Sequence, residues 1–256
     1  MLRQRPAARL AAALLALLAL AVTACEPRTT NPPTTPGTKR IVLYGDSMPS
    51  WLLGKGSSRG LDKTKFTVLD GSVSACDGDS PFRDARWVDN KIVPVVPFCK
   101  LGWRKHYPPY LATRPDAAVI MGGTHAMLDH MMNGVWVHPC SATGRKAYYD
   151  DIKARLNYLN SYADEVFVVL PAWPGPKSRW IMPADYIARA DCVREELQRA
   201  ATIRRAHVID FGTYLCPTSK TVCKDYRSGN SIHVDDTKAP TVLKWLLTSV
   251  AAELPS

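Results

Sequence analysis

The chain has 256 residues, 46% of them hydrophobic and 22% charged, with a formal net charge of +10 and seven cysteines. Beyond its N-terminal tail it offers about 217 residues, enough for one sizeable α/β core and short for two domains. The basic residues are dispersed (Arg204-Arg205; Lys100 to Lys105) and form no stripe for a nucleic acid. They describe a soluble charged surface, with some attraction to anionic lipid headgroups or acidic wall polymers.

The first 24 residues read as an export signal. Arg3, Arg5 and Arg9 make a basic start, and the Ala/Leu run Leu10 to Val22 is too short and too near the terminus for a membrane span. The run ends in Val22-Thr23-Ala24-Cys25, which resembles a bacterial lipoprotein box. Cys25 then becomes the lipidated first residue, and two acyl chains on it anchor stably. The alternative is ordinary cleavage after Ala24 with a free Cys25. Three positive charges leave with the signal, so the mature chain carries +7. Residues 25–39, rich in Pro and Thr, cannot bury enough surface to fold and form a tether. The folded domain is expected over residues 40–256.

Within that domain five apolar runs predict strands buried on both faces: Arg40 to Tyr44, Phe66 to Leu69, Ala117 to Met121, Val166 to Leu170 and His207 to Phe211. Helical stripes predict helices at Tyr148 to Tyr162, Ala184 to Ala201 and Pro240 to Leu254. Strands alternating with helices predict a doubly wound, flavodoxin-like parallel sheet of five strands in a three-layer α/β/α sandwich. A site in such a sheet lies beyond the carboxyl ends of the strands.

Apart from Cys25 there are six cysteines, an even set in an exported chain, which predicts up to three disulfides. Cys216 with Cys223 closes a local loop, Cys76 with Cys99 is a second candidate pair, and Cys140 with Cys192 follows by elimination. Their irregular spacing is wrong for zinc. His125, His130 and His138, spaced by five and eight, are expected as surface loop histidines rather than metal ligands, and no cofactor is called for. Met127, Met131 and Met132 are expected in the core or a pocket wall. Trp173 follows the fourth strand, where it could stack on a sugar or pack a rigid loop.

The first strand runs straight into Gly45-Asp46-Ser47, which puts a serine hydroxyl at a sharp turn. Near the other end, Asn230-Ser231-Ile232-His233 precedes the last helix. A serine hydroxyl is a poor nucleophile until a base takes its proton, so the two must meet. This order resembles the SGNH (GDSL-like) hydrolase superfamily. It is most similar to the SGNH domains associated with membrane O-acyltransferases of bacterial envelopes. The signs are the GDS tripeptide, the turn Ser74-Ala75-Cys76, the turn Gly122-Gly123-Thr124-His125, and the C-terminal block ending at His233.

The resemblance implies Ser47 as nucleophile, His233 as base, and an oxyanion hole from the backbone N–H groups of Ser47 and Ala75 with the Thr124 hydroxyl. Three positions depart from the pattern: Asn230 stands where the family has the acid of Asp-x-x-His, Ala75 replaces a glycine, and Thr124 replaces an asparagine. An asparagine can accept from the ring N–H but gives the imidazolium no counter-charge. Asp235 and Asp236 could stand in for the acid or cap the last helix. The expectation is a lipoprotein at the outer face of the cell membrane. There a serine esterase or O-acyltransferase acts on acyl, foremost acetyl, esters of an envelope glycan, or on another small ester, with a membrane acyltransferase as a further partner. The alternative is an impaired pseudo-enzyme that binds glycan or that acyltransferase.

Overall fold

The structure, a computed structural model, describes residues 37–73, 76, 85–88, 91–94, 99, 102–174, 184–220, 223 and 232–255. Cys25, Ala75 and Asn230 lie outside the described residues. In chain order the elements are β1 (Lys39–Gly45), α1 (Ser47–Gly60), β2 (Phe66–Asp70), β3 (Ala85–Val88), β4 (Lys91–Pro94), α2 (Trp103–His106), α3 (Pro108–Leu111) and β5 (Ala117–Met121). A 3-10 turn (His125–Met127) follows, then β6 (His130–Met132), β7 (Val135–Val137), α4 (Ala142–Leu159), β8 (Glu165–Leu170), α5 (Tyr186–Arg204), β9 (His207–Asp210), α6 (Phe211–Leu215) and α7 (Ala239–Ala252).

The main sheet has the order β2-β1-β5-β8-β9 with every neighbouring pair parallel, the flavodoxin-like arrangement expected. Its middle is dry: Ile41 to Tyr44, Ala117 to Met121 and Val166 to Leu170 are all buried, which is why these runs carry no alternation. The connections β1-α1-β2 and β5-α4-β8 step in opposite directions across the sheet. Right-handed crossovers therefore put α1 and α4 on opposite faces. On these faces α1 packs against α7, and α4 against α5.

Local chemistry explains where the elements begin. Helix α4 starts at Ala142, ahead of the expected Tyr148, because the Ser141 hydroxyl caps it by accepting the Gly144 N–H at 3.1 Å. Strand β9 ends at Asp210, not Phe211, because the Asp210 carboxylate accepts the Thr213 N–H at 2.9 Å and opens α6.

The sequence reading lacks the short helices α2, α3 and α6 and two larger features. Helix α1 follows Ser47 directly, and a four-stranded antiparallel sheet, order β4-β3-β6-β7, is made by the segments that leave β2 and β5. The first segment is closed at its base by Cys76–Cys99. All three expected pairings are present, with Cys140–Cys192 and Cys216–Cys223 as the others. Among the described residues no helix is long and apolar enough to cross a membrane.

Candidate active site

In a sheet of this order the chain leaves β1 toward β2 and returns on the far side as β5. The carboxyl ends of β1 and β5 therefore frame the switch point where ligands bind. Gly45, the last residue of β1, pairs with Met121, the last of β5. Asp46 is buried and serves as N-cap of α1, its Oδ1 accepting the Met48 N–H at 2.9 Å. Ser47 is thus the first residue of the helix and half-buried. The first-turn N–H groups of a helix have no carbonyl one turn back, and the helix dipole adds positive potential there. The Ser47 hydroxyl and its own N–H share this end.

The segment from His233 to Pro240 is laid along α1. Positions 47, 51 and 55, one turn apart, form one stripe of the helix. Ser47 Oγ lies 2.7 Å from His233 Nε2, across 186 positions of sequence. One turn on, the Trp51 ring stacks on the His233 ring, centroids 4.5 Å apart and planes at 16°, and its Nε1–H donates to the Val234 carbonyl at 2.8 Å. A further turn on, Lys55 pairs with Asp236 at 3.0 Å. Beyond that the helix is close enough to α7 that a Cβ on Gly60 would sit 2.2 Å from the Pro240 carbonyl oxygen. The docking of α7 on α1 is therefore what delivers His233 to Ser47.

The two acids after His233 have other work. Asp236 holds Lys55, and Asp235 accepts the Thr237 hydroxyl and N–H at 2.6 and 2.9 Å, which hold its carboxyl below the ordinary value. The Asp235 carbonyl also accepts the Lys238 and Ala239 N–H groups, so this residue shapes the start of α7.

The turn after β2 is tied to the same place. The Val73 N–H donates to the Gly45 carbonyl at 2.8 Å and the Cys76 N–H to the Val73 carbonyl at 3.0 Å. Beyond β5, Thr124 is half-buried at the head of the 3-10 turn. That turn is braced from two sides. His130 donates from Nε2 to the His125 carbonyl at 2.7 Å, and Arg189 of α5 reaches the Met127 carbonyl at 3.3 Å and Asp129 at 2.7 Å. His130 is accordingly buried, 2% exposed, against the expectation of a surface residue. Met127 is core, while Met131 and Met132 are half-buried on β6. Among the described residues no three His, Cys, Asp or Glu side chains gather to hold a metal ion.

Trp173, after β8, is walled in rather than presented to a sugar. It is 6% exposed, its Nε1–H donates to Asp191 at 2.8 Å, and the Arg194 guanidinium lies over its ring at 4.2 Å. Arg194 also donates to the Pro171 carbonyl at 2.6 Å and to both Asp210 oxygens at 2.9 Å. Burial pushes the Asp210 carboxyl up, but the Thr213 N–H, the Arg194 guanidinium and the Thr213 hydroxyl outweigh it and hold it below the ordinary value. Asp210 therefore contributes stability above its unfolded-state pKa and loses it as pH falls through the lower folded value. Arg194→Met is expected to cost about 1–2 kcal/mol in urea unfolding at neutral pH. That gap from the wild type should narrow in acid, as the share due to Asp210 is lost; a gap independent of pH would refute the pairing.

Ser47, His233 and Thr124 thus come to one edge of the sheet, as the sequence order required. Trp51, Arg189 and Arg194 were not singled out from sequence. For Trp51 the available signal was its spacing of one helical turn from the serine, legible only once α1 is known to be a helix.

No protein-family model matches the chain, and no curated protein matches it in sequence. Solved structures do match. The lipase/acylhydrolase from Enterococcus faecalis is 13% identical with a TM-score of 0.55, over 85% of this chain and 98% of its own. A GDSL-like lipase from Bacteroides thetaiotaomicron is 10% identical with a TM-score of 0.53, over 84% and 88%. The acetyl xylan esterase AlAXEase is 13% identical with a TM-score of 0.53, over 82% and 99%. Together with the five-stranded parallel sheet, these likenesses show that the chain has the fold of the SGNH (GDSL-like) hydrolases.

Proposed function

We propose that the chain is a serine esterase of the SGNH type that acts through an acyl-enzyme on Ser47. The observation that carries this reading is the 2.7 Å contact between Ser47 Oγ and His233 Nε2 at the switch point of the sheet. With the ring proton on Nδ1, the hydroxyl donates to Nε2 and is poised to lose its proton there. Attack on the ester carbonyl forms the Oγ–C bond and puts negative charge on the carbonyl oxygen. The N–H groups of Ser47 and Ala75 and the Thr124 hydroxyl are the donors assigned to that charge. Collapse breaks the bond to the alcohol, which leaves with the proton held by His233. Water, or a sugar hydroxyl, then gives its proton to His233 and bonds to the acyl carbon, the Oγ–C bond breaks, and His233 returns the proton to Ser47 Oγ. Asn230 is assigned to accept the Nδ1–H through its carbonyl oxygen.

Acetyl on a glycan is the substrate placed first. An acetyl xylan esterase shares the fold, and a lipid anchor at Cys25 would hold the domain beside envelope polysaccharide. Transfer of the acyl group in concert with a membrane acyltransferase belongs to the same proposal.

The test is hydrolysis of a chromogenic acetyl ester by residues 37–256, with Ser47→Ala alongside. Turnover that this change abolishes supports the reading, whereas buffer-level rates in both would replace the enzyme with a binding protein. Asn230→Asp restores a counter-charge to the imidazolium and is expected to raise kcat at least about tenfold; no gain would remove Asn230 from its assigned role. For the anchor, Cys25→Ala in the full chain is expected to move the protein from the membrane to the soluble fraction. Continued membrane association would reject lipidation at that residue.

A further inference from the structure

We infer that Trp51 is a positioning residue for His233, which it holds at Ser47 and supports in the charged form through its ring face. The inference rests on the proposed role of His233 as base.

Three observations carry it. The rings are stacked at 4.5 Å and 16°, so the imidazole cannot turn about its own axis without losing that contact. The indole Nε1–H holds the carbonyl of Val234, the next residue, at 2.8 Å, which fixes the backbone from which the imidazole hangs. Trp51 and Ser47 stand one turn apart on α1, so nucleophile and ring support share one rigid element. A hydrogen bond of 2.7 Å between groups 186 positions apart needs such a support, because displacement by 1 Å removes it.

The ring face also has an electrostatic consequence. An aromatic face attracts a cation that sits over it, tryptophan most of all, so the stack favours imidazolium over imidazole. This is the form that the usual acid of Asp-x-x-His stabilises and that Asn230 does not. Among the described residues, the charged groups on the two segments that meet here have partners of their own. On α1, Asp46 accepts the Met48 N–H, and Lys55 pairs with Asp236 while also lying 5.3 Å over the Trp51 ring. On the other strand of the contact, Asp235 is turned to Thr237.

The experiment compares Trp51→Leu and Trp51→Phe with the wild type, using chains that carry isotope-labelled histidine and a His233→Gln variant to assign the resonance. Leucine removes both the stack and the Val234 bond; phenylalanine keeps a stacking face and loses only the bond. In Trp51→Leu the NMR titration midpoint of His233 is expected to fall by about half to one pH unit. On the chromogenic acetyl ester its kcat is expected to fall about 10- to 100-fold with KM changed less than about threefold, and the acid limb of the rate profile to move to lower pH. Trp51→Phe is expected to recover at least about threefold of the lost kcat while staying below the wild type, and to keep the midpoint near that of the wild type. A midpoint unmoved in Trp51→Leu, or a phenylalanine variant no better than the leucine one, would overturn the inference. If the wild type itself shows no turnover dependent on Ser47, the proposed function fails, and the NMR midpoints still decide the role of Trp51. Should the leucine variant fail to fold, the phenylalanine variant decides: it must keep the midpoint and lower kcat through the lost Val234 bond.

Discussion

Ser47→Ala, His233→Ala and the double variant are expected to lose the same factor in kcat on a small acetyl ester, about 10²–10⁴-fold each. The equality follows from geometry. Ser47 Oγ and His233 Nε2 are joined by one hydrogen bond of 2.7 Å, so removing either end removes the same event, the transfer of the hydroxyl proton. Two residues acting independently would multiply their losses instead. The size of the loss carries separate information. Serine and histidine knockouts in a complete triad cost about 10⁶, and replacing its aspartate with asparagine costs about 10⁴. If Asn230 were as damaging here, only about 10² would remain for Ser47 and His233 to supply. A loss near the upper end would mean that other contacts, Trp51 among them, have made good much of the deficit. A double variant slower than either single one by a further factor of ten or more would show that the two residues do not form one unit.

How far this site could be foreseen depended on whether its determinants were local. The five strands were legible because Ile41-Val42-Leu43, Ala117 to Met121 and their equivalents are buried on both faces, so each reads as an unbroken apolar run. The meeting of Ser47 with His233 was legible through topology, since a residue after the first strand and one before the last helix share the carboxyl edge. Helix α1 was not. Pro49, Gly54, Gly56 and Gly60 make it a poor helix by propensity. Yet Gly56 and Gly60 are where the backbone of α7 comes in, with a Cβ on them 3.0 and 2.2 Å from the Ala239 and Pro240 oxygens. The residues that conceal the helix are those that let it dock. The second sheet was hidden for another reason: its strands of three or four residues leave no periodic signal, and its two hairpins join across more than forty positions of sequence. Trp51 and His130 gain their meaning only from partners that propensity does not see.

Gly45→Ala is expected to be the most damaging glycine-to-alanine change among the described residues, costing more than about 4 kcal/mol or preventing folding. Gly45 has φ +154°, and a Cβ built on it falls 1.4 Å from the Met121 carbonyl oxygen and 2.6 Å from its carbonyl carbon. Those are backbone atoms of the neighbouring strand in register with it, so neither can swing aside as a side chain would. Relief requires β1 to part from β5 at their carboxyl ends. The same residue accepts the Val73 N–H, so the turn that leads to Ala75 would move with Ser47. Gly54 provides the control. It lies within α1 with nothing within 4 Å of an added Cβ, so Gly54→Ala is expected to stabilise the domain by about 0.5–1 kcal/mol through helix propensity and a less disordered unfolded chain. Thermal and urea unfolding of the two variants measure both effects. A Gly45→Ala protein within about 1 kcal/mol of the wild type would mean that the strands do not meet in this register. The placement of Ser47 at the head of α1, which depends on that turn, would fall with it.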